Sequence, residues 1–317
     1  MLYVWQRDLP LRMANDEEFT GLINDSSRVL WLDIEATGDE LRKRLESLKL
    51  LHPLTIERIF TRHPPRAFLD EFDEYLHILL PQIFYEPGAA INLEICHYIM
   101  GNNFLITVHT QPLAELEAMK PSNIPARFFS QGSDVFFYHL ALPLVNSSFT
   151  ALDTVADLTG DIEDRVFPRP DRNLLNELFN LKRDLITIRK TLAPMREVFS
   201  LLSRRENPFV DAQALPFMSH IYDQLIRLLE ITDTQRETVS NALEIYLSSM
   251  SNRMNEIMTT LTIVSTIILP LTLIVGYYGM NLRLPEFGWK YGFLFVLGLF
   301  LITVTGMLWY FKRRHWF

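Results

Sequence analysis

Two stretches near the C-terminus constrain this chain more than anything else in its 317 residues. Ile257 to Tyr278 and Tyr291 to Phe311 contain no charged side chain, and they are 22 and 21 residues long. An α-helix rising about 1.5 Å per residue needs about 20 apolar residues to cross a hydrocarbon core of roughly 30 Å. Trp289 and Tyr291 flank one end of the second run and Trp309 and Tyr310 the other, as side chains with an apolar body and a polar tip do at membrane interfaces. The sequence therefore predicts two C-terminal membrane-spanning helices, against the plainer alternative of a buried helical hairpin in a soluble core.

Charge divides the chain at the same place. Residues 253–317 hold six Lys/Arg and two acids, leaving 24 basic and 36 acidic residues in 1–252. The twelve residues from Gly279 to Lys290 are too few to do more than reverse the chain, so both ends lie on one side of the membrane. Arg253 and the terminal Phe311-Lys-Arg-Arg-His315 put the positive charge on that side, which the positive-inside bias makes cytoplasmic. The predicted layout is a cytoplasmic α/β domain over 1–133, a helical stalk region over 134–252 and a transmembrane hairpin over 253–317. The predicted location is the inner (plasma) membrane. The N-terminus, MLYVWQRDLPLRM, lacks the pattern of a signal peptide.

Other function classes fall away. A single cysteine, Cys96, cannot make an internal disulfide or a thiolate zinc site. The acidic balance disfavours nucleic acid as a partner. No phosphate-binding, serine-hydrolase, zinc-protease or dinucleotide fingerprint occurs, so the chain reads as a non-enzyme.

In the first 130 residues the pattern predicts strands at Leu2–Gln6, Val29–Leu32, Tyr75–Phe84, Ile91–Met100 and Phe104–Val108, with Gly101-Asn102 turning between the last two. Helices are predicted at Asp39–Leu50, behind a Thr37 cap, and at Pro53–Thr61. Three long helices follow: about Asp134–Phe167, about Arg172–Arg205, and one starting near Leu215 with no breaker before Leu269. Val239, Leu243, Tyr246 and Met250 recur at 4-3-4 spacing on the third, which fits either packing against copies of itself or packing on its own domain.

Carried into the membrane, that helix shows a polar seam. Asn255, Met258, Thr262, Ser265, Leu269, Thr272 and Gly276 sit at alternating spacings of three and four, so they share one face. Small and hydroxyl residues can pack helix on helix, or line a pore if several copies surround an axis. The seam carries no charge, which disfavours a proton relay. Pro270 leaves the Thr266 carbonyl without its helical donor.

Directly after the first run comes Tyr278-Gly279-Met280-Asn281, 36 residues before the chain end. With Tyr246-Leu-Ser-Ser-Met-Ser-Asn-Arg-Met-Asn-Glu-Ile-Met258, Leu269-Pro-Leu-Thr-Leu-Ile-Val-Gly-Tyr-Tyr-Gly-Met-Asn281, Arg189-Lys-Thr-Leu-Ala-Pro-Met-Arg-Glu-Val198 and the basic tail, this arrangement resembles the CorA family of divalent-cation channels, the two-transmembrane GxN transporters. The resemblance implies a homopentameric funnel whose first spans enclose one pore. It implies Mg²⁺ as the transported ion, with Co²⁺ and Ni²⁺. The Gly279, Met280, Asn281 turn would form the outer mouth and contact the ion's water shell, as suits a cation that sheds water reluctantly. Asn255 would form an inner polar ring, Met258 and Leu261 a hydrophobic gate, Leu269 a constriction, and Thr262, Ser265, Thr272 and Gly276 polar lining.

This chain departs from the family in two places. The loop reads Arg283-Leu-Pro-Glu286-Phe, so the carboxylate of Glu286 is offset by Arg283. The positions that in the family bind a regulatory Mg²⁺ fall on Glu86 and on His220, with Asp223 one turn away. Histidine is a poor Mg²⁺ ligand and a good one for transition metals, so either gating uses other acids or Co²⁺, Ni²⁺ or Zn²⁺ is sensed or carried. Two alternatives remain: a zinc-transporting, proton-coupled branch of the same superfamily, and a tethered cytoplasmic module without transport. His97 and His109 read as packing or surface residues, Asp70, Glu71, Asp73 and Glu74 as a solvated turn, and Asp161, Glu163 and Asp164 as a solvated face or a regulatory cation site.

Overall fold

The computed structural model describes residues 1–6, 12–15, 18–61, 66–86, 88–89, 91–119, 126–166, 172–204, 207–280, 288–314 and 316. The chain divides into two compact units, Met1–Leu243 and Glu244–Phe317.

The first unit is built on seven strands: β1 (Leu2–Gln6), β2 (Arg12–Ala14), β3 (Arg28–Glu35), β4 (Phe68–Glu71), β5 (Leu76–Phe84), β6 (Asn92–Met100) and β7 (Phe104–His109). They form one sheet in the order β2-β1-β3-β7-β6-β5-β4. Only β3 and β7 run parallel, with Leu32 opposite Ile106; the helices α1 (Phe19–Leu22), α2 (Gly38–Ser47) and α3 (Pro53–Phe60) belong to the same unit, and α2 and α3 fall between β3 and β7 in sequence, as a crossover between parallel strands requires. Strand alternation sorts the side chains. Val4, Leu30, Leu32, Ile34, Ile99, Phe104, Ile106 and Val108 form one core with Leu41 and Leu45 of α2 and Ile56 of α3. The intervening residues face the other way: there Trp31 stacks on Tyr3 at 5.0 Å and meets Phe136 edge-on at 5.3 Å, and Tyr98 meets Phe137.

Those phenylalanines belong to the first long helix. After α4 (Ala114–Ala118) and a 3₁₀ turn (Ala126–Gln131), α5 runs Ser133–Val166 and α6 Arg172–Leu202. Asp134 fastens the start of α5: one carboxylate oxygen accepts from the Val135 amide at 2.7 Å and the other from the Asp211 amide at 2.9 Å. Residues 101–103 reverse the chain between β6 and β7, as expected for Gly101-Asn102. Glycine is needed there because a Cβ on Gly101 would sit 2.1 Å from the Phe104 ring.

The interior strands match the sequence reading within a few residues, but both edge strands, β2 and β4, depart from it. Thr37 stands at the N-cap of α2 in extended conformation, yet its side chain makes no capping hydrogen bond. The turn expected at Asp70 is instead strand β4, and Asp70 is paired with Arg58 at 2.7 Å.

The third long helix, α7, is continuous from Leu215 to Tyr278, with Pro270 inside it, and α8 covers Gly292–Arg313. Of the residues spaced at 4-3-4 along α7, Val239 and Tyr246 are buried, Leu243 is half-buried and Met250 is exposed. Among the described residues three helices are long and apolar enough to cross a membrane: α5, α7 and α8. In α5 that apolarity is directed at the sheet, since Phe136 and Phe137 are fully buried against it; the apolar stretches of α7 and α8 are exposed.

Candidate functional site

The second unit holds the polar seam. Asn255, Met258, Leu261, Thr262, Ser265, Leu269, Thr272 and Gly276 are all exposed along α7. The less accessible positions, Ile263, Ile267, Pro270, Leu271, Ile274 and Tyr278, lie on the opposite side of the helix. Where a soluble protein would bury its apolar residues and show only polar ones, this helix shows Leu269 at 72% and Leu273 at 73% exposure beside its hydroxyls.

A groove runs along the C-terminal half of this face. Ser265, Leu269, Thr272, Gly276 and Met280 line it together with Val264, Ile268, Leu273 and Tyr277. The second group is absent from the seam that the sequence predicts; the i, i+4 relation of Val264 to Ile268 is the signal that would have found it.

The threonines show how the seam is tuned. The hydroxyl of Thr262 donates to the Met258 carbonyl at 2.7 Å and that of Thr272 to the Ile268 carbonyl at 2.9 Å. With its proton committed to the helix, each hydroxyl has only oxygen lone pairs left to offer. Such groups accept hydrogen bonds from the waters around a cation. Thr266 donates likewise to Thr262, at 2.6 Å.

Gly279 closes the helix. Its amide donates to the Val275 carbonyl at 2.8 Å, and a Cβ there would lie 2.8 Å from that same oxygen. Backbone so close leaves no room for a side chain. A Cβ added to Gly276, by contrast, would meet nothing within 4 Å. Met280 follows, exposed, and Asn281, Arg283 and Glu286 lie outside the described residues.

The residues matched to the regulatory position lie in the first unit. Glu86 is exposed just beyond β5, its carbonyl accepting from the Ala89 amide at 3.0 Å. His220 and Asp223 lie on α7, and both are exposed. Both ring nitrogens of His220 are engaged, Nδ1 with the Tyr138 hydroxyl at 3.0 Å and Nε2 with the Gln224 amide at 3.2 Å, so binding a metal there would break one of these bonds. Among the described residues of one chain, no three His, Cys, Asp or Glu side chains gather closely enough to hold a metal ion. Asp161 is tied to Arg165, which also bridges to Glu177 on α6 at 2.9 Å.

Beside that bridge is a cavity of about 390 Å³, walled by Tyr85, Leu158, Ile162, Asn180, Leu181 and Asp184 among others. Burial, then the charge of Asp184 and a hydrogen bond to it, push the Tyr85 hydroxyl up to about 12. Of its lining, the sequence analysis singles out only Asp161; the other walls come from three separate stretches of chain and share no sequence pattern.

Comparison with known proteins assigns the chain to one family. A curated relative from Thermotoga maritima, named cobalt/magnesium transport protein CorA, is 32% identical over 312 residues, covering 96% of this chain and 88% of its own. A Bacillus subtilis protein, named putative metal ion transporter YfjQ, is 32% identical over 289 residues, covering 90% and 89%. The full-length CorA magnesium transporter structure from Methanocaldococcus jannaschii shares the fold at a TM-score of 0.83, with 22% identity, over 100% of this chain and 99% of that one. The sequence model of the family described as CorA-like Mg²⁺ transporter protein matches residues 26–313, from the third strand of the sheet through the seam to the end of the last helix, and the chain belongs to that family.

Proposed function

We propose that the chain is a homopentameric channel of the inner membrane that admits Mg²⁺, with Co²⁺ and Ni²⁺, down the electrochemical gradient. The observation that carries this reading is the uncharged, exposed seam of α7 running into Gly279-Met280, in a chain whose family match extends across that whole segment. The magnesium and cobalt named for the Thermotoga relative bring those ions to this chain. In the assembly α7 and α8 span the membrane, five copies of the seam face a common axis, and both termini lie in the cytoplasm.

The chemistry follows from the residues. Asn281 and the Gly279 carbonyl form the outer mouth and address the water shell of an arriving ion, with Glu286 adding negative charge. Neutral acceptors suit an ion that keeps its waters, since dehydrating Mg²⁺ is costly. Thr262, Ser265, Thr272 and Gly276 pass the hydrated ion along, Leu269 narrows the route, and Met258 and Leu261 close it when dewetted. Asn255 receives it at the inner end. At about 100 mV, negative inside, two charges gain about 4.6 kcal/mol on entry, so no energy-coupled step is needed. Cytoplasmic metal binding by Glu86, His220 and Asp223 regulates opening.

Mg²⁺ uptake into liposomes holding the purified chain tests this. Asn281→Ala should abolish flux while the oligomer persists on size exclusion. A wild-type chain that incorporates but passes no ion would establish a tether rather than a channel.

A further inference from the structure

The last turn of α8 carries chemistry that the transport reading does not use. Lys312, Arg313 and Arg314 follow one another at the end of the second charge-free run, and no acidic side chain occurs in the sequence after Glu286. All three are exposed, and none takes part in an ion pair among the described residues. The arginines are nevertheless held. The guanidinium carbon of Arg313 lies 5.5 Å from the centre of the Trp309 ring, and that of Arg314 lies 5.8 Å from the centre of the Tyr310 ring.

The remainder of the turn is fixed as well. Phe311 is buried at 4% exposure, Trp316 packs on it at 5.4 Å, and the Trp316 amide donates to the Phe311 carbonyl at 3.2 Å. Trp309, Tyr310 and Trp316 remain exposed at 63%, 53% and 44%. The result is an ordered collar of three aromatics and three cations with no acidic side chain among them. A guanidinium that associates with a ring through its face keeps its N–H edge for an oxyanion.

We propose that this collar is a binding site for anionic phospholipid, taking the headgroup phosphate on Arg313 and Arg314 while the exposed rings lie against the upper acyl chains. This rests on the reading of α8 as a membrane span. Three cations at the end of an apolar helix, with no acidic side chain nearby in the sequence, are complementary to the one anion that a membrane itself presents at that depth. Arginine on an aromatic meets a phosphate with a fork of donors already oriented, so a lysine-only tail would bind with less selectivity.

The test is tryptophan quenching in the full chain reconstituted into vesicles of phosphatidylcholine with a minority of phosphatidylglycerol, brominating one lipid at a time. The collar predicts that brominated phosphatidylglycerol quenches as though enriched about tenfold over its bulk fraction. The double variant Arg313→Gln/Arg314→Gln should lose that enrichment while brominated phosphatidylcholine quenches it as in wild type. Enrichment that survives excess inorganic phosphate supports the lipid; enrichment abolished by free phosphate overturns it. Equal enrichment in wild type and double variant also overturns it. Absence of quenching by either brominated lipid would instead defeat the membrane reading of α8.

Discussion

The carboxylate oxygen Oδ1 of Asp33 on β3 lies 3.1 Å from Nε2 of His109 on β7, with both side chains almost fully shielded from water. The pair is completed by Thr107, whose hydroxyl donates to the same Oδ1 at 2.6 Å while accepting from the Trp31 indole at 3.1 Å, and by the Gln111 carbonyl 2.6 Å from His109 Nδ1. Burial alone would raise Asp33 and lower His109, but their hydrogen bond and mutual attraction outweigh it: Asp33 sits below its ordinary value and His109 above.

Breaking this pair should be costly, because the partner left behind is a buried ionisable group without compensation. Asp33→Ala is expected to destabilise by about 3 kcal/mol, read as a lower Tm of the detergent-solubilised chain. The pair also has a pH signature. The Asp33 contribution is present above the ordinary carboxylate range and disappears as pH falls through its lowered value. The His109 contribution is present below its ordinary value of 6.5 and disappears as pH rises through its raised value. The gap in Tm between wild type and Asp33→Ala should therefore be widest in mildly acidic buffer; a gap independent of pH would refute the ion pair.

A second buried pair works in the opposite sense. Nε2 of His77 lies 3.0 Å from Nδ1 of His97, and Nδ1 of His77 is buried with no hydrogen-bond partner among the described residues. Burial lowers His77 to about 2, helped by the charges of His97 and Arg58, and lowers His97 to about 4. The unfolded chain takes up these protons first, so stability should fall below about pH 6.5 by up to about 1.4 kcal/mol per pH unit for each histidine. For His97 the loss runs to about pH 4, and for His77 it continues to about pH 2. His97→Gln should flatten the acid limb of the Tm–pH curve, which is the measurement to make.

Gly276 and Gly279 are three residues apart yet should respond differently. Gly276→Ala meets open space and adds helix propensity, so Tm should hold or rise slightly. Gly279→Ala forces a methyl against the Val275 carbonyl and should lower both Tm and Mg²⁺ flux. Equal behaviour of the two variants would remove the case for a sterically required glycine at the start of the motif.

Met258 is exposed on the seam at 56%. If it gates by excluding water, Met258→Asp should raise resting flux several-fold, because a charged ring wets the constriction. Uptake assays at high cytoplasmic-side Mg²⁺ report this directly, and an unchanged leak would place the gate elsewhere.

Legibility in the sequence followed how much of a residue's environment is local. The five interior strands were readable because their apolar side chains are densely packed, giving runs such as Leu76–Phe84. Edge strands β2 and β4 are paired on one side only; Arg12 puts a charge in β2, and Asp70-Glu71 in β4 read as a turn. The seam was readable because seven positions on a single helix need only its 3.6-residue period. Charge-free length likewise marked α7 and α8, although α5 shows that the same apolarity can be directed at a sheet.

What the sequence by itself determined is therefore the alternation of β1, β3, β5, β6 and β7, the course of α5 to α8, and the uncharged face ending in Gly279. Tertiary structure decided which polar groups meet. Asp33 and Thr107 become neighbours only through the parallel register of β3 with β7, and His97 reaches His77 only through the β5–β6 pairing. Such contacts depend on strand register across long separations, which no local periodicity encodes, whereas a helix face is fixed by the geometry of a single turn.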